Sequence, residues 1–469
     1  MKNKVHNTQK NAVKNSVVFT AGAIGTNAVL VLTIPFFTKV LSVEAYGVLS
    51  LYTMWGNIVL YLMSLGLHGT ILNAYMDYGK SKINEYISSL LVLPILLLGV
   101  FLVAFIIGGN AISSFTLIDQ KYLVILVFQS FFAFCIQMLT AKLIAEQKAV
   151  SYILITFANV GIPIVLSLLL LYVVDVFDPL TSRIYGMAFP VINLGAIILI
   201  YLLAKGRAVK VSYWKYALPI SIPIIFHTLA NVLLNQSDRY MLGLFTTEEV
   251  VGNYSLAYNI GSIVTTICSA TNHVWLPLYY RKTEEKSFES LLPLFKSYTH
   301  IFTLIILGLL FVCPEIVWIL GSQKYGQVKN IAPFLIASGY FIYLYNFPCG
   351  HEFYRKKTKL IAISTVMTCV INIGLNIIFI HFWKAVGAAL ATCISHALLF
   401  CFHNVVAHKQ FEDYQIPRRY LYGLMLFMAG MVCLYFIVQK YILIRWGIAL
   451  GCGILLIRIV VNFVKASSS

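Results

Sequence analysis

Fourteen apolar runs alternate with short polar stretches, at about residues 16–38, 48–67, 87–107, 122–140, 152–174, 184–204, 216–236, 254–278, 299–320, 331–349, 360–380, 386–406, 420–439 and 441–463. Each is near the roughly 20 residues that cross a bilayer as a helix. The runs at 153–174 and 421–438 lack the period-2 alternation of a barrel strand. In hydrocarbon every backbone polar group must be satisfied internally, which leaves helices as the spanning structure. The pattern predicts an all-α polytopic membrane protein of about fourteen spans.

Composition agrees. Of 469 residues, 60% are hydrophobic and 11% charged, against about 25% charged in soluble domains. The net charge of +17 could point to nucleic acid, but its distribution points to a membrane. With a cytoplasmic N-terminus, the inner segments hold 25 Lys and Arg and the outer ones nine. That asymmetry is the positive-inside pattern, and its persistence places both termini in the cytoplasm. The inner excess faces anionic membrane lipids, which are expected partners, and nucleic acid is not. The nine cysteines lie in or at the ends of apolar runs, without CxxC or Cys/His spacing. They read as small buried hydrophobes, and no metal site or cofactor is expected. The first apolar run, from about residue 17 to 37, is too long for a cleavable signal.

The halves repeat. Glu44-Ala-Tyr-Gly47-Val-Leu-Ser50-Leu51 aligns without gaps on Glu249-Val-Val-Gly252-Asn-Tyr-Ser255-Leu256, an offset of 205. Asn159-Val-Gly161 resembles Asn372-Ile-Gly374 more weakly. The expected domains are a six-helix bundle at 1–204, a cytoplasmic linker at 205–215, a second bundle at 216–406 and a terminal helix pair at 407–469. Bundles with an even number of spans share an orientation, related by a pseudo-two-fold along the membrane normal. Parallel repeats of this kind carry substrate near the midplane.

The polar residues inside spans are arranged in stripes. His227, Asn231, Asn235 and Asp238 fall within about 80° on a helical wheel, with Arg239 flanking them. Asn57, Tyr61, Ser64 and His68 share a face of the second span, and the repeat places His68 on His273. Gly22, Thr26 and Thr33 share a face of the first. The candidate substrate cavity is therefore His227, Asn231, Asn235, Asp238, Arg239, Asn57, Tyr61, His68, His273 and Thr26. Helix–helix packing accounts equally for the small and hydroxyl residues; intramembrane ionisable groups point to function. Asp238 and Arg239 could also close the outer end of their helix as a local ion pair. Deep acids are sparse, with Asp238 and Glu315 alone near the interior of spans. A site with His and Arg and few acids suits an anion such as a diphosphate. Arg355, Lys356 and Lys357 could gather a phosphorylated substrate at the cytoplasmic face, or serve only to orient the chain. Asp238 and His227 are the candidate proton carriers.

No Walker sequence, HExxH or GxGxxG after a strand occurs. The outer connection at 236–253, the longest expected, holds only Asp238, Arg239, Glu248 and Glu249. That is little for a membrane glycosyltransferase or polymerase, so a transporter and not an enzyme is expected.

The stretch Leu41-Ser-Val-Glu-Ala-Tyr-Gly-Val-Leu-Ser-Leu resembles the opening of the polysaccharide (O-antigen and capsule repeat-unit) flippases. Ser237-Asp-Arg-Tyr-Met-Leu-Gly, Trp275-Leu-Pro-Leu-Tyr-Tyr-Arg, Asn372-Ile-Gly-Leu-Asn-Ile and Val386-Gly-Ala-Ala-Leu-Ala-Thr are similar in the same order. Those flippases belong to the multidrug/oligosaccharidyl-lipid/polysaccharide exporter superfamily. The resemblance implies alternating access in a bacterial cytoplasmic membrane. It implies transfer of oligosaccharide on undecaprenyl diphosphate from inner to outer leaflet, with a polysaccharide polymerase or chain-length machinery as partner. A cation or drug antiporter, a peptidoglycan lipid II flippase and, less favoured, a membrane polymerase or glycosyltransferase stay open.

Overall fold

A computed structural model describes the backbone of residues 22, 25, 26, 28–174 and 176–468, and their side chains except at 227, 358 and 462–468. The N-terminal lysines and the start of the first expected span lie outside the described residues.

The described chain is helical throughout. In order the helices are α1 (Ala28–Val40), α2 (Val43–Ser64), α3 (Ile71–Thr116), α4 (Gln120–Ala145), α5 (Ala149–Leu169), α6 (Pro179–Gly206) and α7 (Val211–Phe245). They continue as α8 (Glu248–Glu284), α9 (Phe288–Phe311), α10 (Cys313–Gly321), α11 (Val328–Tyr354), α12 (Thr358–Gln410), α13 (Arg418–Val438) and α14 (Ile442–Ser468). Among the described residues ten helical runs are long and apolar enough to cross a membrane.

Local chemistry sets the ends. The Ser42 hydroxyl accepts from the Ala45 amide at 3.1 Å, with Glu44 in the first turn. Such groups satisfy amides that an opening helix leaves unpaired. Asp178 caps α6 through the Thr181 amide at 3.0 Å, with Pro179 at the first position. Two breaks divide long helices. Gly79 (φ 73°) separates a short opening stretch of α3 from its membrane run. Lys384 (φ 48°) splits α12 into two arms, which are the two expected spans at 360–380 and 386–406.

The connections differ from expectation in two places. The polar stretch at 236–253, read as an outer loop, is helical. Helix α7 runs to Phe245 and α8 starts at Glu248, because Asp238 finds its partners on neighbouring helices instead of in water. The span expected at 299–320 ends at Phe311, and Pro314 opens the separate α10 in its first turn, where a proline costs no helical hydrogen bond.

Packing divides the chain into two compact units, one through Gln236 and the other from Ser237 onward. In the first, Ile83, Tyr86, Ile87, Leu90 and Leu91 form a fully buried stripe on α3 against α4 and α6. The segment after α6 is pinned to α3. Ser88 and Ser89 donate to the Ala208 carbonyl at 3.0 Å each, and the Trp214 indole donates to the Ser89 carbonyl at 2.7 Å. Gly206 permits this approach, since a Cβ there would lie 2.2 Å from the Asn84 carbonyl oxygen.

In the second unit α11 packs on α8 and α12. Its core is aromatic: Phe302 stacks on Tyr343 at 3.7 Å and Trp275 on Tyr298 at 5.1 Å. The terminal helices join this unit, α14 packing on α9 and α13 on α11. Arg445, 4% exposed, meets Glu315 through both terminal nitrogens at 2.8 Å and donates to the Phe311 and Gln439 carbonyls. The Glu315 side chain keeps 25% exposure, so breaking this bidentate pair costs about 1.5–3 kcal/mol and not the full penalty of a stranded buried charge. Arg445→Ala is therefore expected to lower the melting temperature of the purified protein clearly, and Glu315→Gln by less. An unchanged melting temperature for Arg445→Ala would remove this clamp from the account.

Candidate functional site

The densest polar cluster of the second unit surrounds Asp238. Its carboxylate is fully buried. It accepts from Asn376 Nδ2 at 2.5 Å, from Thr392 Oγ1 at 2.6 Å and from the Tyr254 hydroxyl. Asn376 Nδ2 also reaches Asn372 Oδ1 at 3.0 Å, and Asn372 Nδ2 reaches Thr392 Oγ1 at 3.4 Å. Asn372 and Asn376 lie four residues apart on the first arm of α12, one turn apart on one face; Thr392 lies on the second arm. The break at Lys384 folds the arms so that both meet the same carboxylate.

Asn376 Nδ2 can only donate, so at least one carboxyl oxygen acts as an acceptor, and the two hydroxyls can donate to the other. The adjacent Arg239 is 8% exposed and places its guanidinium carbon 4.6 Å from the centre of the Tyr258 ring. Asp238 thus ties α7 to α8 and both arms of α12. Taking up one positive charge at this carboxylate would displace a donor and loosen those ties. Among the described residues no three His, Cys, Asp or Glu side chains converge as metal ligands would.

The other expected cavity residues are scattered in character. Asn231 and Asn235 are half-buried one turn apart on α7, and Asn235 donates to the Asn231 carbonyl at 2.7 Å. The His227 side chain lies outside the described residues. In the first unit Asn57 is exposed and Tyr61 half-buried. His68 sits in the 3-10 turn after α2 with Nδ1 buried and unpartnered. Thr26 is buried and donates to the Gly22 carbonyl at 3.1 Å, the back-bonding of a packed hydroxyl. His273 on α8 is exposed.

The cluster Arg355, Lys356 and Lys357 is exposed at the turn between α11 and α12. Arg355 is not free there, since it pairs with Asp413 in the connection from α12 to α13. Asp413 also meets His351 Nε2 at 3.2 Å, and His351 Nδ1 meets the Tyr279 hydroxyl at 2.7 Å. This chain latches α8, α11 and the α12–α13 connection together.

Sequence reading missed Tyr254, Asn372, Asn376 and Thr392 as partners of Asp238. The last three stand in the two α12 motifs quoted for the family resemblance, and the four-residue spacing of the asparagines was the available signal. It also missed a second buried acid. Glu352 is fully buried against His403, whereas the sequence suggested that only Asp238 and Glu315 approach span interiors.

Residues 12–281 match the family described as polysaccharide biosynthesis protein. The chain belongs to that family. This polysaccharide biosynthesis protein is 26% identical over 375 residues to a protein of the Lsg locus of Haemophilus influenzae, spanning 77% of this chain and 89% of that one. It is 22% identical over 403 residues to the "Probable low-salt glycan biosynthesis flippase Agl15" of Haloferax volcanii, spanning 84% of this chain and 81% of that one. The fold is that of the lipid II flippase MurJ in an inward closed conformation (TM-score 0.75, 15% identity, 96% of this chain and 100% of that one). It is also that of an inward-facing multidrug resistance MATE transporter (TM-score 0.64, 14% identity, 86% of this chain and 99% of that one).

The inner latch carries a pH prediction. Partial burial works to raise the Asp413 carboxyl; the Arg355 hydrogen bond and the His351 and Arg355 charges outweigh it and hold the group below its ordinary 3.8. A lowered carboxyl contributes stability above its unfolded value and loses it as pH falls through the folded one. With Arg355 half-exposed the contribution is about 0.5 kcal/mol. Asp413→Asn should lower the melting temperature slightly near neutral pH, and the deficit should shrink as the pH falls below the ordinary 3.8. A deficit that persists in acid would show that the pair is not its source.

Proposed function

We propose that this protein carries undecaprenyl-diphosphate-linked oligosaccharide repeat units from the inner to the outer leaflet by alternating access, for surface polysaccharide biosynthesis. The observation that carries this reading is a polysaccharide biosynthesis family match on a chain whose fold is shared by a lipid II flippase and a multidrug transporter. The name of the Haloferax volcanii relative supports it. A diphosphate and several sugars cannot cross hydrocarbon unaided, because each polar group there lacks a partner. Polar side chains inside the spans replace that hydration while the polyprenyl tail stays in lipid.

On this reading bundles 1–204 and 216–406 do the carrying and the pair 407–469 is accessory. Asn231, Asn235, Arg239, His227, Tyr61, Asn57, His68, His273 and Thr26 line the path, and Asp238 joins them as a buried tie among α7, α8 and α12. Arg355, Lys356 and Lys357 gather the anionic headgroup at the cytoplasmic face. Both termini lie in the cytoplasm.

The test is the lipid-linked glycan pool, resolved by leaflet, in cells lacking the protein. Complete repeat units on undecaprenyl diphosphate should accumulate on the cytoplasmic side. Accumulation of lipid II instead would move the reading to the peptidoglycan flippase. An unchanged pool with raised sensitivity to cationic drugs would move it to the antiporter.

Asp238→Asn exchanges one charge-assisted acceptor for an amide, a loss of about 1.5–3 kcal/mol. Export should fall about tenfold or more, since each 1.4 kcal/mol is a factor of ten, with the protein still in the membrane by immunoblot. Wild-type export by the variant would remove Asp238 from the transport cycle.

A further inference from the structure

A second buried carboxylate in the same unit is built on a different plan. Glu352, near the end of α11, and His403, on the second arm of α12, are both fully buried. His403 Nδ1 lies 2.8 Å from each oxygen of Glu352. Its Nε2 lies 2.6 Å from the hydroxyl of Ser364 on the first arm of α12. The Tyr345 ring stands edge-on to the imidazole at 5.0 Å.

Proton counting separates the two sites. Asp238 can be satisfied as an anion by three neutral donors. Glu352 shares the single donor position at Nδ1 between both of its oxygens. With a neutral imidazole the pair would bury a net negative charge held, among the described residues, by one hydrogen bond, an expensive state away from water. One more proton removes that charge, whether it is written as imidazolium and carboxylate or as imidazole and carboxylic acid. Ser364 fits both proton counts. Its hydroxyl donates to the Ile361 carbonyl at 2.9 Å, leaving its oxygen to accept from an Nε2 proton. If that proton leaves, the hydroxyl can turn to Nε2, while Thr365 still donates to the Ile361 carbonyl at 2.8 Å.

We propose that Glu352, His403 and Ser364 form a proton-binding site, holding one exchangeable proton beyond the one a neutral histidine carries. Release is balanced within the site. The Nε2 proton leaves the site, the Ser364 hydroxyl replaces it as donor, and the pair becomes a net anion. That anion favours separation of α11 from α12, which the pair now joins. The titratable groups facing it are Tyr345 and Cys349 of α11 and Tyr414 of the α12–α13 connection. His351 with Asp413 and Arg355, and His408 on the Asn404 and Ile416 carbonyls, lie one contact further.

The proton count can be read on the full-length protein in lipid nanodiscs, without substrate. Histidine side-chain nitrogen NMR counts ring protons, with His403 identified by its loss in His403→Gln. Infrared spectroscopy reports a protonated carboxyl band, identified by its loss in Glu352→Gln. The expected result is two protons on the pair, either both on the ring or one on the ring and one on the carboxyl. In Glu352→Gln one remains. A single ring proton on wild-type His403 with no carboxyl band lost in Glu352→Gln overturns the proposal. If His403→Gln does not accumulate, Ser364→Ala supplies the assignment by shifting the His403 resonance. If Glu352→Gln does not accumulate, carboxyl-labelled glutamate in wild type supplies the carboxyl count. This measurement stands or falls separately from the flippase reading. Granted that reading, the site takes up and releases the proton of the transport cycle, and Glu352→Gln should flatten the pH profile of export. A profile as steep as wild type would remove the pair from the cycle.

Discussion

Without water to complete them, the polar groups of a membrane helix must find partners within the protein. Among the described residues many serine and threonine hydroxyls meet that demand locally by donating to a carbonyl three or four residues back, as Thr38, Ser167, Ser255 and Thr303 do. Charged groups cannot be satisfied this way, because one carbonyl does not balance a unit charge. They therefore recruit other helices. Asp238 brings together α7, α8 and both arms of α12, and Arg445 holds α14 to the end of α9 and the start of α10. The long-range architecture of the second unit follows the few charges it buries.

The same demand explains why α12 breaks where it does. A single helix of 53 residues would place Asn376 and Thr392 about 24 Å apart along its axis, at about 1.5 Å per residue. A non-helical residue at Lys384 lets the chain reverse, and both side chains then reach Asp238. Gly387 follows directly after the turn. A Cβ there would come 2.1 Å from the Phe379 carbonyl oxygen, so glycine permits the close return of the second arm.

The spans were legible in the sequence because hydropathy acts residue by residue and needs no knowledge of partners. The family resemblance was legible because its motifs are contiguous stretches of sequence. What escaped depended on distant pairs. Asn376 and Thr392 are neutral, common in packed membrane helices, and lie 138 and 154 residues from Asp238. The stretch after Gln236 looked like a loop because its charges seemed to require water; the carboxylate instead has three protein donors. Glu352 was passed over because it sits three residues before Arg355, in a segment that reads as a cytoplasmic turn. Pairing decided its burial, and the pairing partner lies 51 residues away.

Asp238 and Glu352 together show how one unit can hold two acids in different states. Three neutral hydrogen bonds spread the Asp238 charge over amides and hydroxyls that gain nothing by taking a proton. One imidazole beside Glu352 offers a basic nitrogen and therefore a place for a proton to reside. The first arrangement can hold a negative charge among helices α7, α8 and α12; on the proposal above, the second lets the charge between α11 and α12 vary with proton occupancy. A variable charge alters the energy of an interface only where burial makes that charge costly. Both Glu352 and His403 meet that condition, whereas Asp413, partly exposed and paired with a half-exposed arginine, does not. Burial together with a basic partner thus separates a group able to drive a rearrangement from one that only steadies a turn.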